Sequence, residues 1–337
     1  MKHHFQILSV LLLSLISVAP ARADKVTLVA GGTGADGGPA NLAKLSKPFG
    51  VIFDKAGNMY IGQYGTKTDG QLVRKVDAKG IITTIAGTGK VGAGGDGGPA
   101  TGGEFNFIHD IVIGSDGNLY VADSFNRKVR KIDVKTGVLT TFAGNGEGKA
   151  ATGDGGLAEK ATLDGVASLW FSNDGATLYV SGFSSKVRTI DMKTGIIGTL
   201  KGCPGGRSIA MDSKGNLYIA GGTALRVRTP DGAVKVLLDD QHTGGSDIPL
   251  ASNPKHLGID AQDNVLICDE QHHLLRKYIP SEDKLVTIMG DGKPGTRGIG
   301  GSAAQAQLHS PHGVLFHDGA IYVADSMNDR VVKISAE

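Results

Sequence analysis

Two histidines far apart in the chain stand in related surroundings, His109 in Phe-Ile-His-Asp and His312 in Ser-Pro-His-Gly. Arg207 holds the same place in Gly-Gly-Arg-Ser, and Lys255 holds it in Asn-Pro-Lys-His. Phe49 in Lys-Pro-Phe-Gly and Ala167 in Gly-Val-Ala-Ser complete the set. Neutral imidazoles ligate zinc, copper or iron and move protons near neutral pH. Guanidinium and ammonium groups grip carboxylates and phosphates instead. The set therefore offers two chemistries, a divalent metal held by His109 and His312, or a small anion held by Arg207 and Lys255. A catalytic zinc wants three protein ligands, and the third alternating place is Arg207.

These residues meet only if the chain brings them together, and an internal repeat does so. The stretch Asp-Gly-Asn-Leu-Tyr-Val-Ala-Asp-Ser-Phe-Asn-Arg-Lys-Val-Arg-Lys-Ile, residues 116–132, reads as turn, strand, turn, strand. Asp116-Gly117 is a tight-turn signal. Leu119 to Ala122 is a short β-branched and aromatic run, and Val129 to Ile132 alternates apolar with basic residues. The pattern returns at residues 56–76, 174–190, 214–228, 263–278 and 318–334. Six copies at a spacing of about 40–60 residues point to a propeller or array, each copy too small to bury its face alone.

The phrases Ala122-Asp-Ser-Phe-Asn-Arg-Lys-Val and Ala324-Asp-Ser-Met-Asn-Asp-Arg-Val resemble the NHL repeat, and His272-His273-Leu274 sits at the place that gave the repeat its name. The resemblance covers nearly all of residues 24–337. It implies an all-β, six-bladed β-propeller of four-stranded antiparallel blades. It leaves function open, because propellers of this kind include binding platforms and enzymes. Ser310-Pro-His312-Gly is also similar to the Pro-His strand starts of peptidyl-α-hydroxyglycine α-amidating lyase, and Ile108-His109-Asp110 is partly so. That likeness implies zinc, but its third histidine is absent.

On the propeller expectation, each of the six places above begins the innermost strand of a blade. Phe49, His109, Ala167, Arg207, Lys255 and His312 should then point at one mouth of the central channel, with Asp110 beside them. Binding there would weaken below about pH 6 if a metal needed neutral imidazoles, and persist or strengthen if charged histidines helped hold an anion. Lys25-Val-Thr-Leu-Val-Ala-Gly31 matches the outermost strands Ile81–Gly87 and Val138–Gly144, whereas the last copy stops after its third strand. The N-terminal strand should therefore close the ring and hide its open edges.

Glycine-rich connectors follow the outer strands at residues 34–40, 95–100 and 153–158. No Gly-Lys-Ser/Thr follows them, so they are not phosphate loops. Their aspartates invite calcium, but the spacing is not that of an EF-hand, and structural crossovers are expected. The connector at 200–206 is nearly absent, which should open one side of the face. Asp123, Asp269 and Asp325 recur after the second strands and are expected to cap turns beside Arg130 or Arg276. Trp170 is expected in the core between sheets.

Lys2, the apolar run 5–18 and Ala21-Arg-Ala23 read as a signal peptide over 1–23, implying an exported, periplasmic or extracellular protein. The run is short for a membrane span. Export permits a Cys203–Cys268 disulfide, and two free thiols are the alternative. Net charge +2 gives no support to nucleic-acid binding, and 5% aromatics makes a Trp- and Tyr-paved sugar groove improbable. The expected function is a monomeric binding module taking a protein, a peptide or a small anionic ligand on its connector face. The alternative is a metal-dependent lyase or lactone-type hydrolase, with zinc or calcium, at the channel mouth.

Overall fold

The computed structural model describes residues 24–66, 69–148, 150–183, 186–250 and 254–335. The expected signal peptide lies outside them. The chain forms six four-stranded antiparallel sheets. Blade A comprises β2 (Pro48–Phe53), β3 (Met59–Gln63), β4 (Val73–Val76) and β5 (Ile82–Ala86). Blade B comprises β6 (Ile108–Ile113), β7 (Leu119–Asp123), β8 (Lys128–Ile132) and β9 (Leu139–Ala143). Blade C comprises β10 (Ser168–Phe171), β11 (Thr177–Ser181), β12 (Val187–Asp191) and β13 (Ile197–Thr199). Blade D comprises β14 (Ser208–Met211), β15 (Leu217–Gly221), β16 (Ala224–Arg228) and β17 (Val234–Leu238). Blade E comprises β18 (Leu257–Ile259), β19 (Val265–Asp269), β20 (Leu274–Ile279) and β21 (Lys284–Met289). Blade F comprises β22 (Gly313–His317), β23 (Ala320–Asp325), β24 (Arg330–Ser335) and, as its outer strand, β1 (Thr27–Ala30). β1 pairs antiparallel with β24, Thr27 opposite Lys333, so the N-terminal strand closes the ring as expected.

Second strands read as continuous apolar runs because both of their faces are covered. Leu119 and Val121 pack in one cluster against blade A, and Tyr120 and Ala122 pack in another against blade C. The Gly-Asn-x-Tyr turns are held by an aspartate that precedes them. Asp116 accepts from the Asn118 amide, the Tyr120 hydroxyl and Lys131. Asp54 and Asp212 repeat the first two of these contacts with Asn58 and Tyr60, and with Asn216 and Tyr218.

The glycine-rich connectors are crossovers, and their aspartates are structural. Asp36, Asp96 and Asp154 each accept from the third-strand arginine of the following blade, Arg74, Arg130 and Arg188. Each also bonds the outer strand, through the Thr84 amide and the Thr141 and Thr199 hydroxyls. Asp123 is fully buried and joins Arg130, Asn126 and the Asn106 amide. Asp269 and Asp325 hold the same place with Arg276 and Arg330.

The cysteines are free thiols. Cys268 is fully buried in the cluster between blades E and F, and Cys203 packs against the cluster between blades C and D. They lie in separate interblade layers, so of the two expected outcomes the structure shows free thiols. Trp170 packs against the clusters on both sides of blade D. No helix among the described residues is long and apolar enough to cross a membrane.

Candidate functional site at the channel mouth

One turn geometry delivers the aligned residues to the mouth. Lys47, Phe107 and Ser310 precede Phe49, His109 and His312 by two positions, and each has a left-handed backbone, φ 42°, 63° and 48°. Few non-glycine residues adopt that conformation unless the surroundings impose it. The preceding blade does so here. Asp329, Gln71 and His273, themselves left-handed turn residues, accept the backbone N–H of Lys47, Phe107 and Ser310 respectively. His273 is therefore a turn residue that clamps the next blade.

Phe49, His109, Arg207, Lys255 and His312 lie close together, and the three ring-bearing residues are buried. Phe49 is 4% exposed, and His109 and His312 are each 7% exposed. The Phe49 ring stacks on His312, with centroids 3.8 Å apart, and meets His109 edge-on at 5.5 Å. An aromatic layer covers them. Tyr64 stacks on Phe49 at 4.3 Å, and Phe107, Phe125 and Phe183 continue the layer around His109. Phe125 and Phe183 stand at the surface, 47% and 44% exposed, with rings 6.0 Å apart. Arg207 lies over the Phe183 ring at 5.3 Å. Lys255 is spent on Glu270 at 3.2 Å. Ala167 is buried.

Asp110 leaves the mouth and turns into the channel. Its Oδ1 accepts the Ile111 amide and its Oδ2 the Leu169 amide, stitching blade B to blade C. Asp110 Oδ1 also lies 3.1 Å from His256 Nε2, an ion pair not aligned as a hydrogen bond. Burial opposes a charge on His256, but the Asp110 carboxylate outweighs it and holds the imidazole pKa above its ordinary value. The pair borders an apolar axial cavity of about 160 Å³.

The two mouth histidines are neutral. Burial, and after it the Arg207 charge, push His109 down to about 3. Burial likewise holds His312 well below its ordinary value, with Lys255, Arg207 and His109 adding repulsion. Their Nδ1 atoms face the carbonyls of Phe107 and Ser310 at 3.3 and 2.9 Å. A carbonyl only accepts, so Nδ1 carries the hydrogen and Nε2 keeps its lone pair. A metal ligand is held in the same way. Yet Phe49 stands between the rings, and among the described residues no three His, Cys, Asp or Glu side chains come together as a metal cluster. Among the described residues the mouth offers two imidazoles, one protein ligand fewer than a catalytic zinc usually takes.

Beside Arg207 lies a recess of about 350 Å³ floored by Gly182, Gly205, Gly206, Gly221 and Gly222. A side chain at Gly206 would run into Ile219 and the Ala220 carbonyl at 2.4 and 2.6 Å, so only glycine allows this close approach to β15. Among the described residues Arg207 has no carboxylate within 4.0 Å, the reach of every ion pair seen elsewhere in the fold. The sequence reading missed Tyr64, Phe107, Phe125, Phe183 and Glu270. A signal was present: Phe125 and Phe183 follow the second strands of consecutive blades by the same two residues.

Comparison with known proteins supports the repeats. The Teneurin NHL domain family model matches residues 17–93. Protein SUPPRESSOR OF QUENCHING 1, chloroplastic, of Arabidopsis thaliana is 25% identical over 295 residues, covering 86% of this chain and 25% of that protein. NHL repeat-containing protein 2 of Bos taurus is 24% identical over 304 residues, covering 81% and 37%. The chain thus spans well under half of these curated relatives. Among solved structures, an auxiliary nutrient binding protein from Bacteroides thetaiotaomicron superposes with TM-score 0.69 at 14% identity, covering 93% of this chain and 76% of that one. Virginiamycin B lyase from Staphylococcus aureus superposes with TM-score 0.56 at 15% identity, covering 87% and 98%. The repeats read in the sequence are NHL-type repeats, built into a six-bladed propeller.

Proposed function

We propose that this chain is an exported ligand-binding module whose connector-face mouth takes a small anionic ligand bearing a flat apolar group. The observation that carries this reading is Arg207, which among the described residues has no carboxylate within ion-pair distance, only the more distant charge of Glu270, and which lies between the exposed Phe125–Phe183 pair and a glycine-floored recess. A guanidinium in this setting takes a carboxylate through two parallel N–H bonds, while the rings offer stacking area. One structural neighbour, an auxiliary nutrient binding protein, agrees with such a role, and at 14% identity it supports the fold alone. Export rests on residues 1–23 and their targeting pattern.

The enzyme alternative draws on the lyase among the structural neighbours, and the chemistry of the mouth argues against it. A general base works best with a pKa near the operating pH. Burial and the Arg207 charge push His109 down to about 3, which disfavours it as a general base at neutral pH and does not bear on a metal-dependent route. The binding reading is tested with 3-phenylpropionate and acetate. Phe183→Ala should weaken the aromatic acid by about fivefold or more and leave acetate unchanged, the worth of one stacking contact. Equal affinity of the variant and the parent protein for 3-phenylpropionate would overturn it.

A further inference from the structure

The third strands superpose residue by residue, and one position breaks the pattern. Val76, Ile132, Ile190, Tyr278 and Ile334 face Met59, Leu119, Leu178, Val265 and Ile321 across their sheets, and all five are buried at 6% exposure or less. In blade D the residue facing Leu217 is Arg228. A guanidinium thus occupies a place that the other five blades give to core side chains. Its Nε is buried without a hydrogen-bond partner, and Nη1 makes one long contact, 3.4 Å to the Thr229 carbonyl. No carboxylate described here comes within ion-pair distance. Asp231 feels the charge from farther away.

The short connector explains how this arginine survives there. Each glycine-rich connector lies over the outer strand of the following blade, as Gly98 does through its bond from the Leu139 amide. Residues 200–206 are too few to do this for blade D. Val234, opposite Arg228, is 41% exposed, whereas Leu139 in blade B is fully buried. A cleft of about 410 Å³ remains between blades C and D, reaching the face opposite the connectors. Leu200, Met211, Leu217 and Tyr179 give it apolar walls, Arg228 sits within it, and Asp174 and Lys214 stand at its rim. Lys214 is already paired with Asp263 at 3.5 Å.

We propose that this cleft is a second ligand site, taking an aliphatic carboxylate with its head on Arg228 and its chain over Leu200, Met211 and Leu217. The guanidinium is half-buried, with an unsatisfied Nε and one long hydrogen bond, and a bidentate carboxylate would satisfy it. A compact inorganic anion would leave the apolar walls wet. The site is independent of the mouth, on another face and with another cation.

The test is titration of the purified protein with hexanoate, read by calorimetry and by the fluorescence of Trp170, the sole tryptophan and the strand partner of Tyr179. Hexanoate should bind, and acetate and inorganic phosphate should bind about tenfold more weakly or worse. Arg228→Ile installs the residue type of the other blades. It should abolish hexanoate binding while the melting temperature holds or rises, because an uncompensated charge leaves the interface. Should that variant fail to fold, Arg228→Met makes the same comparison. The proposal fails if the parent protein ignores millimolar hexanoate, if the Arg228 variants bind it as well as the parent, or if phosphate binds equally. Loss of hexanoate in Arg207→Ala with retention in Arg228→Ile would move binding to the mouth and also overturn it.

Discussion

Blades B and D are built from the same repeat, yet their arginines live differently. In blade B, Arg130 is fully buried and joined to Asp123 at 3.2 Å and to Asp96 of the crossover at 3.0 Å. In blade D, the equivalent Arg226 bonds only the Gly221 carbonyl at 3.3 Å, among described partners. The second strand of blade D carries Gly221 where blade B has Asp123, and the connector that would bring the second aspartate is missing. A connector therefore does more than join blades. It carries the counter-charge and the cover for the outer half of the next sheet. Without it, blade D keeps cations unspent on both faces, Arg207 at the mouth and Arg228 in the cleft.

The sharpest way to break this comparison is to remove each arginine. Arg130→Ala strands the buried Asp123 carboxylate and should cost about 3–5 kcal/mol in urea unfolding. Arg226→Ala strands nothing and should cost less than about 1 kcal/mol. Equal losses would show that the crossover pairing is not what distinguishes the blades.

The outer strands give the next contrast. Leu139→Ala empties a fully buried position and should cost about 2–4 kcal/mol. Val234→Ala, at 41% exposure, should stay within about 0.5–1 kcal/mol. A large loss at Val234 would mean that another element covers blade D.

A smaller effect concerns pH. His109 is held neutral by burial and by Arg207, with its pKa lowered from 6.5 to about 3. Between those values the unfolded chain binds a proton that the folded chain refuses, so stability falls as pH drops from about 6.5 toward 3. His109→Gln removes this term, and its melting temperature should fall less over that range than the parent's. Parallel curves would place a charged His109 in the folded protein. Since the imidazole stays neutral, it adds no charge for an anion, and ligand affinity at the mouth should be flat from pH 8 to 5.

The fold was legible because repetition is a signal that a single strand cannot give. The recurring order of turn, apolar strand, turn and alternating strand marked the copies, and the unmatched strand at Lys25–Gly31 marked the closure. Within the site, alignment of the copies located Phe49, His109, Arg207, Lys255 and His312, since equivalent positions meet at one level of the axis. Solvation was not legible. Nothing local to His109 tells that Tyr64, Phe107, Phe125 and Phe183 will cover it, because those rings come from three blades. Nor does the sequence near Asp110 tell that its carboxylate will be used on the amides of Ile111 and Leu169. Average aromatic content could not show that Tyr64, Phe107, Phe125 and Phe183 gather at one mouth.

The central claim is that Arg207 holds an anion at the mouth. Calorimetric titration of 3-phenylpropionate into the parent protein, Arg207→Ala and Arg228→Ile tests it most directly. Parent and Arg228→Ile should bind alike, and Arg207→Ala should bind about tenfold more weakly or worse, the worth of a charge-assisted bidentate contact. Undiminished binding by Arg207→Ala would contradict the account.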